Sequence, residues 1–177
     1  MGQDVKKNIN DIAQKLAYNY KEQGLFEIGI GEKLPKRKEI IEIVREIKRL
    51  MFPGYFGTEN TAYVSLESFA GNTLATIYEK MFKQVKIAFS YKAENKNMKE
   101  IEEKTEQTVL TFIDRLPYIQ QMILKDVDAE YDGDPAANSR EEIIFSYPGL
   151  FAIYVYRIAH ELYLLNVPFI PRIMSEY

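Results

Sequence analysis

The chain has 177 residues, of which 46% are hydrophobic and 28% charged, a balance typical of a globular domain rather than a disordered chain. Its net charge of −3 gives no electrostatic basis for nucleic-acid binding, which needs a concentrated basic surface. Cysteine is absent, which excludes disulfides, thiolate nucleophiles and cysteine metal sites. Residues 1–14 contain no apolar signal core, so we expect a cytoplasmic protein.

The first predicted helix begins near Asp4, whose carboxylate favours a helix start. Apolar side chains recur along it at intervals of three and four residues, which is typical of an amphipathic helix: Val5, Ile9, Ile12, Leu16 and Tyr20. Gly24 is the predicted stop of this helix. Residues 25–34 contain turn-forming glycines and predict a loop.

The second predicted helix begins at Pro35 and ends at Pro53-Gly54. Its apolar residues also follow a helical period: Ile40, Ile43, Val44, Ile47, Leu50 and Met51. Basic and acidic side chains are interleaved on the remaining surface at spacings of three and four. This arrangement predicts a solvated, charge-paired face rather than a binding site for an acidic partner.

The middle of the chain predicts two long helical segments. One begins at Leu66 and is apolar on more than one face, which is typical of a helix that is either deeply buried or shared with another subunit, and this favours oligomerisation. The other carries its apolar stripe from Met98 to Tyr131, and we expect the Leu116-Pro117 step to break or kink it. No useful strand alternation occurs. The predicted fold class is therefore all-α, a multi-helix domain of about seven or eight helices with no sheet.

An acidic run follows at alternate positions: Asp126, Asp128, Glu130, Asp132 and Asp134. Read from Asp128 it resembles a calcium loop, with Gly133 in the sixth place. The twelfth place, however, is Ser139 instead of glutamate, and a proline stands in the eighth. Because the chain also has one histidine and no cysteine, we predict no metal site.

The last part of the chain is the least polar. Ser139 and Glu142 have the spacing of a capping box and predict the start of a short helix. Pro148 suits the first turn of the next helix, whose wide apolar face carries Arg157. A guanidinium on such a face must find a partner. The uncharged run 143–156 is shorter than the roughly 20 apolar residues of a membrane-spanning helix, so we expect no membrane insertion.

Several groups of residues within 134–177 occur in a characteristic order and spacing. They are Asp134-Pro135-Ala136-Ala137, then Tyr147-Pro148-Gly149 with Ala152, Arg157-Ile158-Ala159-His160, and Pro171-Arg172 with Ser175-Glu176. Together they resemble the end of the N-terminal helical domain of bacterial serine acetyltransferases. Two positions depart from that pattern, because many members carry histidine where this chain has Phe151 and Tyr156.

This resemblance implies a domain organisation. Residues 1–177 are expected to form a single helical N-terminal domain, with a family-like segment 131–177 and a less specific segment 1–130. In serine acetyltransferases the segment similar to residues 172–177 continues into a left-handed β-helix of hexapeptide repeats. No such repeats occur in this sequence, so we expect the chain to be a piece of a longer enzyme.

The resemblance also implies an activity for the parent enzyme, the transfer of acetyl from acetyl-CoA to the hydroxyl of L-serine in cysteine biosynthesis. Asp134 would contribute to the serine site, and the alternative is an aspartate that caps a helix or forms a turn. No catalytic residue is expected in the chain, because those of the family lie downstream, and the isolated chain should be inactive. Arg157 and His160 are expected to hold helices together, His160 as a buried hydrogen-bonding residue rather than a general base.

Partners are implied in the same way. The chain would bind no cofactor, and acetyl-CoA would be a co-substrate of the parent. The family implies a homo-oligomer, a hexamer built as a dimer of trimers, and allows O-acetylserine sulfhydrylase as a partner through a C-terminal tail that this chain lacks. The alternative is a free-standing helical interaction or oligomerisation module without catalysis, which the reading frame after Tyr177 would distinguish.

Overall fold

A computed structural model describes residues 3–23, 33–57, 65–93 and 97–177. Every regular element in these ranges is helical and none is a strand, which confirms the predicted fold class and helix number. The helices are α1 (Gln3–Gln23), α2 (Arg37–Met51), α3 (Leu66–Lys92), α4 (Met98–Gly133), α5 (Arg140–Ser146), α6 (Pro148–Leu164) and α7 (Ile170–Ser175). The chain divides into two compact units, Met1–Lys33 and Leu34–Tyr177. Gly24, the predicted stop of the first helix, lies outside the described residues.

The first unit contains α1. Its predicted apolar row is present on the helix and remains exposed to solvent: Val5, Ile9, Ile12, Leu16 and Tyr20. An amphipathic helix of this kind obtains most of its stability from packing its apolar face rather than from helix propensity. The exposed row is therefore a surface that another element or chain could cover.

The second unit is built around one core shared by α2, α3, α4 and α6. α3 packs against both α2 and α4, and α6 packs against α4 and α7. Each helix contributes fully buried aliphatic or aromatic side chains, among them Ile43 and Ile47, Ile77 and Met81, Phe112 and Ile123, and Ile158 and Leu162. The apolar period predicted from the sequence thus corresponds to the faces that meet in this core.

The sequence predicted a break or a kink at Leu116-Pro117, and the break is wrong, because α4 continues through Pro117 to Gly133. Leu116 and Ile119 are buried on either side of the proline, in the same core as Phe112 and Ile123. A proline inside a helix costs about 3 kcal/mol, mainly through a lost hydrogen bond and a clash with the preceding turn. Burial of one continuous apolar face outweighs that local cost.

α5 begins at the predicted capping serine, with one of the two hydrogen bonds of a capping box. Ser139 is the N-cap, and its Oγ accepts the backbone N–H of Glu142 at 3.1 Å. The carboxylate of Glu142 accepts the backbone N–H of Asn138 at 2.9 Å instead of that of the capping serine. The cap therefore satisfies two backbone donors at the entrance to α5.

Replacing Ser139 with alanine should lower the free energy of unfolding by about 1 kcal/mol, because the N–H of Glu142 loses its acceptor. The matched control is Ser146→Ala, at the exposed other end of α5, which should change stability by less than about 0.5 kcal/mol. Urea denaturation followed by circular dichroism measures both variants. Equal effects at the two ends of the helix would contradict a capping role.

Among the described residues, no helix has the length and hydropathy needed to cross a lipid bilayer.

Candidate functional site

Asp134 stands where α4 ends and the connection to α5 begins. Its backbone N–H donates to the carbonyl of Glu130 at 3.0 Å, and its own carbonyl accepts the N–H of Ala137 at 3.0 Å. Its backbone is extended, with φ −108° and ψ 103°, as expected for a residue before proline. The half-buried side chain is thus carried by a hydrogen-bonded junction rather than by a loosely held loop.

The carboxylate of Asp134 is held at both oxygens. Oδ1 accepts the N–H of Ala136 at 2.9 Å, which forms the turn that the sequence left as an alternative. Oδ2 accepts the hydroxyl of Tyr147 at 2.7 Å. These two bonds lower the pKa of Asp134, and the bond from Tyr147 contributes more than the bond from Ala136. The side chain is therefore ionised at neutral pH. An ionised carboxylate has about four acceptor positions, and these bonds occupy two of them.

Tyr147 links the end of α5 to the start of α6. Its hydrogen bond to the carboxylate is the first cause that raises its pKa to about 12, so the hydroxyl remains a donor at neutral pH. Sequence reasoning included Tyr147 in the family-like motif but did not identify it as a site residue. Its position directly before Pro148 was the sequence feature that could have identified it. A residue there has an extended backbone, so its side chain does not follow the periodic faces of a helix.

Glu130 lies one helical turn before Asp134 and faces the start of α6. Its Oε1 is 3.3 Å from the position that a Cβ atom would take at Gly149, so the close approach of the two helices favours glycine there. Its Oε2 is buried and forms no hydrogen bond with described protein atoms. Burial is the main cause that raises the pKa of Glu130, and the negative charge of Asp126 raises it further.

Arg157 on α6 finds its partner in Asp126 on α4. The pair is bidentate, with Nε to Oδ2 at 2.6 Å and Nη2 to Oδ1 at 2.7 Å. Asp126 precedes Asp134 by about two turns, roughly 12 Å along the helix axis. The structure therefore joins Arg157 to the acidic run but does not bring it to Asp134.

His160 is exposed, so the expectation that it is buried is wrong. Its ring stacks with Tyr156 and Tyr163 of the same helix, at centroid distances of 5.7 and 6.4 Å. These residues follow one another at spacings of four and three, which places them on one outward strip of α6. Periodicity alone could not assign this strip to the surface, because α6 is apolar on most of its circumference.

The acidic run has a structural arrangement unlike that of a calcium loop. Asp126, Asp128 and Glu130 all lie within α4, and Asp128 pairs with Arg140 of α5 at 2.5 Å. In the part of the chain that the structure describes, no three histidine, cysteine or acidic side chains are grouped to hold a metal ion.

Comparison with known proteins finds similarity to serine acetyltransferases. Over 148 residues the chain is 32% identical to the plasmid serine acetyltransferase of Synechococcus elongatus, an alignment that covers 81% of this chain and 46% of that protein. The chain is homologous to the serine acetyltransferases. A serine acetyltransferase of Bacillus subtilis is 45% identical over 56 residues, which are 32% of this chain and 26% of the relative. No protein-family model matches the sequence.

Solved serine acetyltransferase structures share the fold. Native serine acetyltransferase 1 of Entamoeba histolytica aligns with a TM-score of 0.60 and 28% identity, over 75% of this chain and 45% of that protein. The same protein in complex with L-cysteine aligns with a TM-score of 0.61 and 24% identity, over 98% of this chain and 58% of that protein, a likeness of fold. These findings confirm the predicted resemblance to serine acetyltransferases. The chain spans less than half the length of the Synechococcus serine acetyltransferase.

Proposed function

We propose that this chain is the helical domain of a serine O-acetyltransferase, which converts acetyl-CoA and L-serine to O-acetyl-L-serine and CoA. Within that enzyme Asp134 contributes to the serine site. The observation that carries the proposal is the state of its carboxylate, which is ionised, held at both oxygens and still has acceptor positions free. Homology to serine acetyltransferases supports the reaction assigned to the parent.

The chemistry of the site suits an amino acid substrate. At neutral pH the ammonium group of serine is a cation with three donors, and a carboxylate forms charge-assisted hydrogen bonds with it. Two arginines of the neighbouring helices are paired with other aspartates of the acidic run, Arg157 with Asp126 and Arg140 with Asp128. The negative charge of Asp134 is therefore left for a ligand.

The remaining parts of the enzyme follow as proposals. Acetyl-CoA binds to a region of the parent outside this chain, and the general base lies in the same region. The isolated chain is therefore inactive. We propose a cytoplasmic enzyme of cysteine biosynthesis that forms a hexamer as a dimer of trimers, with O-acetylserine sulfhydrylase as a partner of its C-terminal tail. The exposed apolar row of α1 supports self-association. Light scattering of the concentrated chain tests this, and a strictly monomeric mass would count against it.

The Asp134→Asn variant of the full-length protein should lose about 10- to 100-fold in kcat/KM for serine, since a charged acceptor becomes neutral. Asparagine can still form the turn to Ala136, so the fold should persist. The matched control is Asp132→Asn, an exposed acid two residues earlier, with unchanged kinetics expected. Steady-state kinetics with each substrate varied in turn measures both, and the KM for acetyl-CoA should not change. Identical kinetics in the two variants would refute the role of Asp134.

A free-standing helical interaction module is the competing proposal, and the exposed row of α1 is the observation in its favour. The intact mass of the endogenous protein, captured with an antibody raised to this chain, separates the two. A mass well above 20.7 kDa supports a parent enzyme, whereas a mass equal to that of the chain overturns the acetyltransferase proposal.

A further inference from the structure

We propose that Tyr147 is a positioning residue of the serine site, whose hydroxyl fixes the orientation of the Asp134 carboxylate. The bond from the Tyr147 hydroxyl to Asp134 Oδ2 is 2.7 Å long and crosses 13 residues of sequence. This inference rests on the proposed function of Asp134.

The position of Tyr147 is determined by its surroundings. Its backbone N–H donates to the carbonyl of Ile143 at 3.1 Å, and Pro148 begins α6 directly after it. Although Tyr147 occupies the N-cap position of α6, its side chain makes no capping hydrogen bond. The half-buried ring packs against the hydrophobic core. Its hydroxyl can therefore donate to Asp134, and the ring that carries the hydroxyl is itself held in place.

Two bonds on different oxygens restrain the carboxylate more than one bond could. The N–H of Ala136 alone would leave the carboxylate plane free to turn about the Cβ–Cγ bond, whose torsion is broad. The Tyr147 hydroxyl holds the second oxygen and thereby fixes that plane. A substrate ammonium then meets acceptor positions of fixed direction, which reduces the ordering cost of binding.

A tyrosine can also do this without neutralising the site. An arginine or lysine in its place would form an ion pair and compete with the substrate ammonium for the same charge. The phenol donates a hydrogen bond but leaves the full negative charge on Asp134. In the structure Arg157 and Arg140 form ion pairs with other aspartates, Asp126 and Asp128.

The test is the Tyr147→Phe variant of the full-length protein, which removes one oxygen and keeps the ring. We expect about a tenfold fall in kcat/KM for serine, mainly through a higher KM, with the KM for acetyl-CoA unchanged. The matched control is Tyr131→Phe, since Tyr131 is also half-buried near the end of α4 and stacks under Arg140, a contact that phenylalanine retains. This control should leave the kinetics for serine unchanged.

The double variant Asp134→Asn, Tyr147→Phe distinguishes positioning from a general structural effect. If Tyr147 acts through Asp134, the double variant should be no worse than Asp134→Asn alone. Losses that multiply would overturn the inference. If Asp134→Asn impairs serine use and Tyr147→Phe does not, the role of Tyr147 fails and the proposed function stands; if neither variant has an effect, both fail.

A second measurement does not depend on activity. In the 177-residue chain, carbon-13 NMR of the aspartate carboxyls reports the pKa of Asp134 directly. Loss of the phenol hydrogen bond should raise that pKa in Tyr147→Phe and leave it unchanged in Tyr131→Phe. An unchanged pKa in Tyr147→Phe would overturn the inference.

Discussion

Replacing Tyr154 with alanine is expected to lower the free energy of unfolding of the chain by about 3–5 kcal/mol. Tyr154 is only 1% exposed, and its hydroxyl donates to the backbone carbonyl of Val44, so the side chain joins α6 to α2 through the core. Alanine would remove this hydrogen bond and leave a cavity the size of the ring. Burial also raises the pKa of Tyr154 well above its ordinary value, so the phenol keeps its proton and remains a donor at neutral pH.

Two further variants separate ring burial from the hydrogen bond. Tyr154→Phe keeps the ring and should cost only about 1 kcal/mol. Tyr156→Ala removes a tyrosine two residues later on the same helix that is 62% exposed, and it should change stability by less than about 0.5 kcal/mol. Guanidinium denaturation of the three variants gives the comparison. A Tyr154→Ala variant as stable as Tyr156→Ala would show that α6 does not pack on α2 in this way.

After Tyr154→Ala, the Asp126→Ala variant is expected to be the most destabilising, with a loss of about 2–3 kcal/mol in the free energy of unfolding. Its partner Arg157 would be left unpaired while its side chain is only 26% exposed. The expected loss lies below that for a fully buried pair, because water still reaches part of both groups.

The matched control for this pair is Asp128→Ala on the same helix. Asp128 pairs with Arg140, and their side chains are 56% and 52% exposed, so the loss should be clearly smaller. Alanine raises helix propensity equally at both positions, so that contribution cancels in the comparison. Thermal unfolding at low and high salt provides a second distinction, because added salt should weaken only the exposed pair. Equal losses for the two aspartates would argue against a special role of Arg157 in joining α6 to α4.

These pairs bear on the proposed serine site as well as on stability. Both arginines near the end of α4 are engaged by aspartates other than Asp134, while Asp134 itself is held by neutral donors. In the acidic run, Asp126 and Asp128 thus form ion pairs between helices, whereas Asp134 accepts hydrogen bonds from Ala136 and Tyr147.

Much of this protein was predictable from local patterns in its sequence. The apolar period predicted the helices, and Ser139 with Glu142 predicted the start of α5, because periodicity and capping act over three or four residues. Asp134 was found through the resemblance of its motif, and its extended backbone follows from the proline after it.

Other features were decided only when the helices packed. Pro117 is retained within α4 because residues on both sides of it share one core, an energy that no local window contains. The partner of Arg157, the exposure of His160 and the bond from Tyr147 to Asp134 each depend on which surfaces meet across 13 or more residues or face solvent. The sequence by itself determined where helices form and which aspartate carries the family motif. The tertiary structure alone decided which charges pair with one another and which carboxylate accepts the Tyr147 hydroxyl, because those choices are made by contacts between helices.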